Sequence, residues 1–266
     1  MKLYAVRDEK EDKKRDLFWL MYDPKSARFF IELPEDEDPW MLPPPLDSYA
    51  KRGIYSVFSD KAAGWIEQRI IPRDRQNLGM ILKENGLKSY DPYRLLVLAD
   101  GRCAQDDCFI VPVGQETLPA AVWRRLQEKV LDVIPLKGSR VIVCFRNGTC
   151  RLIDLSDMIQ KDKRFLKIAS DEALFMRVHV SPLGNGIEWD DVRYITAQDL
   201  YRAGEKLPLT SEDFLQYTRY RVLDTAGMAK KMHCSRQYIK QLTDERKLHP
   251  LQTGLNHLLF PARETE

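Results

Sequence analysis

TAGMAKKMHCSRQYIKQLTDERKLHPLQTGLNHLLF, residues Thr225 to Phe260, is the most informative stretch of this 266-residue chain, because its caps, apolar positions and breakers follow one another in a fixed order. Thr225 offers a hydroxyl to the orphan amides at a helix start, and Ala226 to Met232 continue the helix with residues that propagate it well. That helix is expected to stop at His233. Ser235 supplies a second N-cap, and Arg236 to Glu245 follows with Ile239 and Leu242 three apart on one face. Small Ala229 lets the second helix approach, and β-branched Ile239 packs back on the first. His233 stands where glycine would be most comfortable. Histidine visits the left-handed region more readily than most residues, so the turn is expected to give it a positive φ.

After Leu248, Pro250 ends the helical run, and apolar residues from Leu251 to Phe260 surround a Thr253-Gly254 turn signal, which reads as a short hairpin. Four landmarks fall in order: Thr225-Ala226, Ser235-Arg236, Lys247-Leu248-His249-Pro250 and Phe260-Pro261. In these landmarks the stretch resembles the winged helix-turn-helix of excisionase-type and MerR-type DNA-binding proteins. The resemblance implies double-stranded DNA as the partner and a second helix that enters the major groove.

With Ile239 and Leu242 facing inward, the opposite face and the N-terminal turn of the second helix present Arg236, Gln237, Lys240 and Gln241. Arg and Gln suit base edges, whereas Lys230, Lys231 and Lys240 suit phosphates as point charges. Tyr238 is left between packing and a phosphate contact. Thr225, Ser235, Arg246 and Asn256 complete the expected DNA-binding set. Charge points the same way independently: from Arg219 to Pro250 there are eight basic residues and three acidic ones, a local +5 in a chain of net charge +2.

Composition bounds the remainder. At 266 residues and 44% hydrophobic, the chain can bury a substantial core in two or three domains. No apolar run approaches a membrane span, and MKLYAVRDEKEDKKRD lacks the apolar core of a signal peptide, so a cytoplasmic protein with no membrane partner is expected. Five irregularly spaced cysteines fit a reducing compartment better than a disulfide framework.

Taken in order, LFWLMYDPKSARFFIEL, from Leu17, reads as a hairpin turning at Asp23-Pro24-Lys25-Ser26. Pro34 to Pro45 reads as an extended acidic loop pinned by Trp40 and Met41. Helices are expected over 60–70, 74–85 and 92–99. Cys103 and Cys108 flank Asp106 and Asp107, but their spacing is not that of a metal or redox pair, so they read as buried or loop cysteines. Thr117 to Ile134, with Val122, Leu126 and Val130 in register, reads as a connecting helix.

VIVCFRNGTCRLIDL then reads as a hairpin around Asn147-Gly148. Met158 to Ile168 is a helix or turn, ALFMRVHV a third strand and Ile187-Glu188-Trp189 a fourth, before Thr196 caps a helix through Tyr201. This order, with Asp154-Leu155 and Leu174-Phe175-x-x-Val178, resembles a small uncharacterised bacterial α+β domain family, often fused to a helix-turn-helix and encoded beside toxin-like genes. The whole gives an α+β chain with an N-terminal domain (1–115), a connecting helix (116–137), a small α+β domain (138–206) and the DNA-binding unit (207–266).

Catalytic chemistry finds little support. Of four histidines, His233, His249 and His257 lie in the DNA-binding stretch, and His179 alternates with Arg177 on an expected strand face. No phosphate loop, paired-His metal motif or nucleophile elbow occurs, so no enzyme, cofactor or metal is expected. The expectation is a transcriptional regulator whose N-terminal portion binds a ligand or protein, or forms a homodimer. An antitoxin-like autoregulator with a toxin partner and a protein-interaction module without DNA binding are the alternatives.

Overall fold

The short apolar runs at 3–6, 17–22 and 29–31 build a sheet that is buried on both faces. The computed structural model describes residues 1–10, 15–251 and 258–261. The chain is α+β, with antiparallel sheets and short helices, and it divides into two units: residues 1–147 with 151–206, and residues 148–150 with 207–266. The first unit opens with β1 (Lys2–Asp8), β2 (Phe18–Asp23) and β3 (Arg28–Glu32), then α1 (Leu46–Ala50), β4 (Ser56–Val57), α2 (Ser59–Glu67), α3 (Leu78–Glu84), α4 (Pro92–Leu98), β5 (Cys108–Pro112) and α5 (Ala120–Gln127). The strands form one antiparallel sheet in the order β4-β3-β2-β1-β5.

Side chains alternate across a strand, so Phe18, Leu20 and Tyr22 meet Trp65 and Leu96 on one face, while Trp19 and Met21 meet Val122 and Leu126 on the other. The hairpin turn forms as its residues dictate: Asp23 accepts the Ser26 hydroxyl at 2.7 Å.

The first unit continues through β6 (Val130–Leu136), β7 (Arg140–Phe145), β8 (Thr149–Asp154), α6 (Ser156–Lys161), α7 (Leu166–Ser170), α8 (Glu172–Phe175), β9 (His179–Val180), β10 (Gly186–Glu188), β11 (Tyr194–Thr196) and α9 (Ala197–Arg202). The Asn147-Gly148 hairpin forms, with Gly148 at φ 83, and α9 starts under a Thr196 cap. The next strand is β12 (Glu205–Thr210), and β8, β7 and β6 lie side by side in that order.

Four readings change. The helix expected over 117–134 is only α5; from Val130 the chain is a strand paired with β7, because β-branched Val130, Val133 and Ile134 gain a cross-strand partner that a longer helix would forfeit. Pro135 is tolerated there because β6 is an edge strand. ALFMRVHV is a helix followed by a two-residue strand, since the Asp171 side chain accepts the Leu174 amide at 3.0 Å and caps α8. The acidic loop is anchored by buried Leu42 and Leu46, whereas Trp40 is 77% exposed beneath Lys51. Cys144 and Cys150, flanking the hairpin turn, form a disulfide, and Cys103, Cys108 and Cys234 are free. Burial pushes the Cys108 thiol up to about 12.

One polar cluster ties the first sheet to α5 and to the start of β6. Glu32, 1% exposed, accepts from Lys129 Nζ (2.6 Å), Arg125 Nε (2.9 Å) and Ser56 Oγ (2.7 Å). Lys129 also donates to Asn185 at 2.5 Å, and Arg125 to the Leu33 carbonyl at 2.6 Å. Burial alone would raise the Glu32 carboxyl, but the charges of Lys129 and Arg125 outweigh it and hold the group below the usual glutamate range.

Glu32→Gln should therefore cost about 3–5 kcal/mol at neutral pH, read from urea midpoints, because it leaves two buried cations under-compensated. A carboxyl with a lowered folded-state pKa contributes stability above its unfolded pKa and loses it as pH falls through the folded value. The wild-type chain should accordingly show an acid-dependent loss of stability that Glu32→Gln reduces.

Candidate nucleic-acid interface

The second unit is built on α10 (Ser211–Arg221), β13 (Val222–Asp224), α11 (Thr225–Lys231), α12 (Arg236–Asp244) and β14 (Leu259–Pro261). A full capping box starts α10, with Thr210 and Asp213 as the reciprocal pair. Strands β13 and β14 are antiparallel, with Leu223 opposite Phe260 in register. The Leu251 amide donates to the Leu259 carbonyl at 2.7 Å, so the two ends of the expected hairpin meet; its Thr253-Gly254 turn lies outside the described residues.

Helices α11 and α12 are held by a small core of Met228, Ala229, Ile239 and Leu248, all buried, with Met232 and Leu242 packed against it. Between them His233 has φ 52, the left-handed conformation expected from sequence. Its amide donates to the Lys230 carbonyl at 3.3 Å, and the Cys234 amide to that of Ala229 at 3.0 Å. These two bonds are a Schellman ending, which satisfies the last carbonyls of α11 and turns the chain at once toward α12. The same device ends α12: Arg246, at φ 57, donates to Thr243 and Lys247 donates to Leu242.

The start of α11 corrects the sequence reading. Asp224, not Thr225, is the N-cap, its carboxylate accepting the Gly227 amide at 2.7 Å. Thr225 becomes the first helical residue and is half-buried. Two adjacent residues could cap this helix, and the pairing of Asp224 with Leu259 sets which one does. Strand β13 is absent from the sequence reading; Val222-Leu223 was its only local signal.

The other expected site residues are spread over both helices and their ends. Lys230 and Lys231 occupy the last turn of α11, exposed. Ser235 caps α12, accepting the Tyr238 amide at 3.2 Å. Gln237, Lys240 and Gln241 are exposed on the side of α12 away from buried Ile239, and Arg236, three residues before Ile239, is exposed in the first turn of the helix. Gln241 donates to Glu245 at 2.8 Å. Tyr238 is 46% exposed, and Arg246 is exposed immediately beyond the helix. Asn256 lies outside the described residues.

The α12 surface is polarised along its axis. Its N-terminal half carries Arg236 and Lys240, and its carboxylates, Asp244 and Glu245, are confined to the C-terminal end. A polyanion is attracted by the first half and repelled by the second. Lys247, 2.8 Å from Glu245, partly neutralises that end.

No family model and no curated protein matches the chain. Among solved structures, a protein named "Putative DNA Binding Protein" from Nitrosomonas europaea is similar over 46% of this chain and 79% of its own, with 21% identity and a TM-score of 0.27. A likeness of that degree carries no argument about this chain.

Three substitutions test the local geometry. Asp224→Ala should lower the melting temperature, at a cost of about 1 kcal/mol for a lost cap, while Thr225→Ala should cost less. His233→Gly should be neutral or stabilise by up to about 1 kcal/mol, because the backbone already holds a conformation that glycine adopts without a Cβ clash. Thermal unfolding of the three variants reads both.

Proposed function

We propose that this chain is a sequence-specific DNA-binding transcriptional regulator, in which residues 207–266 act as a winged helix-turn-helix and residues 1–206 bind a ligand or a protein. The observation that carries the reading is the exposed face of α12. Two guanidinium- or ammonium-bearing residues, Arg236 in the first turn and Lys240, and two amides, Gln237 and Gln241, are exposed on a helix that buried Ile239 holds against its neighbour. Around it stand Lys230, Lys231 and Arg246, also exposed.

In this reading α12 enters the major groove by its N-terminal half. Arg236 is then the candidate for a bidentate contact with guanine, and Gln237 for one with adenine. Lys230 and Lys231, at the end of the preceding helix, meet phosphates. Arg246 occupies a left-handed position that glycine would fill more easily, which supports a role for its side chain at the same surface. No nucleophile, metal or cofactor enters the reading, and the role is regulatory rather than enzymatic.

Binding of the full chain to matched and mismatched duplexes across a salt series tests it. Arg236→Ala should relax preference at one position, with about 1–3 kcal/mol of discrimination lost there. Lys231→Ala should weaken every duplex alike and reduce the salt slope by about one. Equal loss on all sequences for Arg236→Ala would make it a backbone contact, and salt-independent or absent binding would leave the interaction-module reading.

A further inference from the structure

A cleft of the first unit, about 610 Å³ and floored by apolar side chains, has a volume typical of small-molecule sites. Its floor is Phe29, Ala63, Ile66 and Ile70, and the ring of Tyr90 forms part of a wall. The Tyr90 hydroxyl donates to the Ile71 carbonyl at 2.6 Å, which fixes that ring beside the cleft.

The charges at the rim are unequal. Arg28 is already committed, donating to both oxygens of Glu188 at 3.1 and 2.9 Å and pairing with Asp191. Arg73 stacks its guanidinium 4.7 Å from the centre of the Tyr90 ring. Against these stand Asp60 and Glu67, seven residues apart on α2 and so on one face, about 10 Å along its axis, with small Ala63 between them. Asp60 accepts the Tyr194 hydroxyl at 2.8 Å. Neither Asp60 nor Glu67 makes an ion pair among the described residues. Arg164 is near enough to Asp60 for its charge to be felt, whereas the charge of Glu67 is felt at the Tyr90 hydroxyl, on the wall of the cleft.

We propose that this cleft binds a small organic cation, with an apolar or aromatic body on Phe29, Ile66 and Tyr90 and a protonated amine on Glu67, secondarily on Asp60. Carboxylates surplus to the arginines repel an anionic ligand, and Arg73 over Tyr90 shows that this aromatic face accepts a cation. The apolar floor supplies the burial that a bare inorganic cation would not use.

The inference rests on reading residues 1–206 as the ligand-binding part, and its test is made without DNA, so that it fails or stands separately from the DNA-binding reading. Phenethylamine and phenylacetate carry similar apolar bodies and opposite charges, and each is titrated calorimetrically into the full chain. Phenethylamine is expected to bind with a Kd of about 1 mM or tighter and phenylacetate at least about tenfold more weakly. Glu67→Gln, at an exposed position that should spare the fold, is expected to weaken phenethylamine about tenfold while leaving the melting temperature unchanged. Absence of binding by phenethylamine, equal binding of phenylacetate, or an unchanged affinity in Glu67→Gln would each overturn the proposal.

Discussion

The first unit depends on a buried carboxylate that answers two cations. Glu32 closes β3 and meets Arg125 of α5 and Lys129 just beyond it, residues 93 and 97 positions away in the chain. Each ion alone would be expelled from a dry interior by its desolvation cost. Together, with Ser56, Asn185 and the Leu33 carbonyl completing the bonds, they fix where α5 lies on the sheet and where β6 begins. Aromatic contacts reinforce the same unit: Phe58 stacks on Tyr194 with ring centres 3.8 Å apart, and Arg28 bridges to Glu188.

In the second unit the decisive constraint is steric. Ala229 and Ile239 are buried against each other's helices, so α12 cannot rotate about its axis without exposing Ile239 or burying a charge. The polar face of α12 is therefore preset. The left-handed residues His233 and Arg246 make the chain turn sharply at both helix ends without glycine, which keeps α12 short and its N-terminus accessible.

What could be read from sequence was what local chemistry decides. The β2–β3 hairpin, the Asn147-Gly148 turn, the Ser235 and Thr196 caps and the positive φ of His233 each depend on a few neighbouring residues. The exposed face of α12 followed from two apolar positions. Two of the errors lie where distant partners decide: Val130 to Leu136 continues a helical pattern until β7 pairs with it, and β13 exists only because β14 returns to it after the whole helical pair. The Glu32 cluster was invisible for the same reason, since carboxylates abound and spacing cannot pair them. Thr225 read as the cap on local grounds, and the pairing of Asp224 with Leu259 puts Asp224 at that position instead.

The central claim is that the α12 face reads DNA sequence. Selecting bound fragments from a random duplex pool with the full chain tests it most directly. Repeated rounds should enrich a short motif, with guanine or adenine fixed where Arg236 and the α12 amides reach base edges. A pool that remains unenriched while the chain is folded would contradict the account.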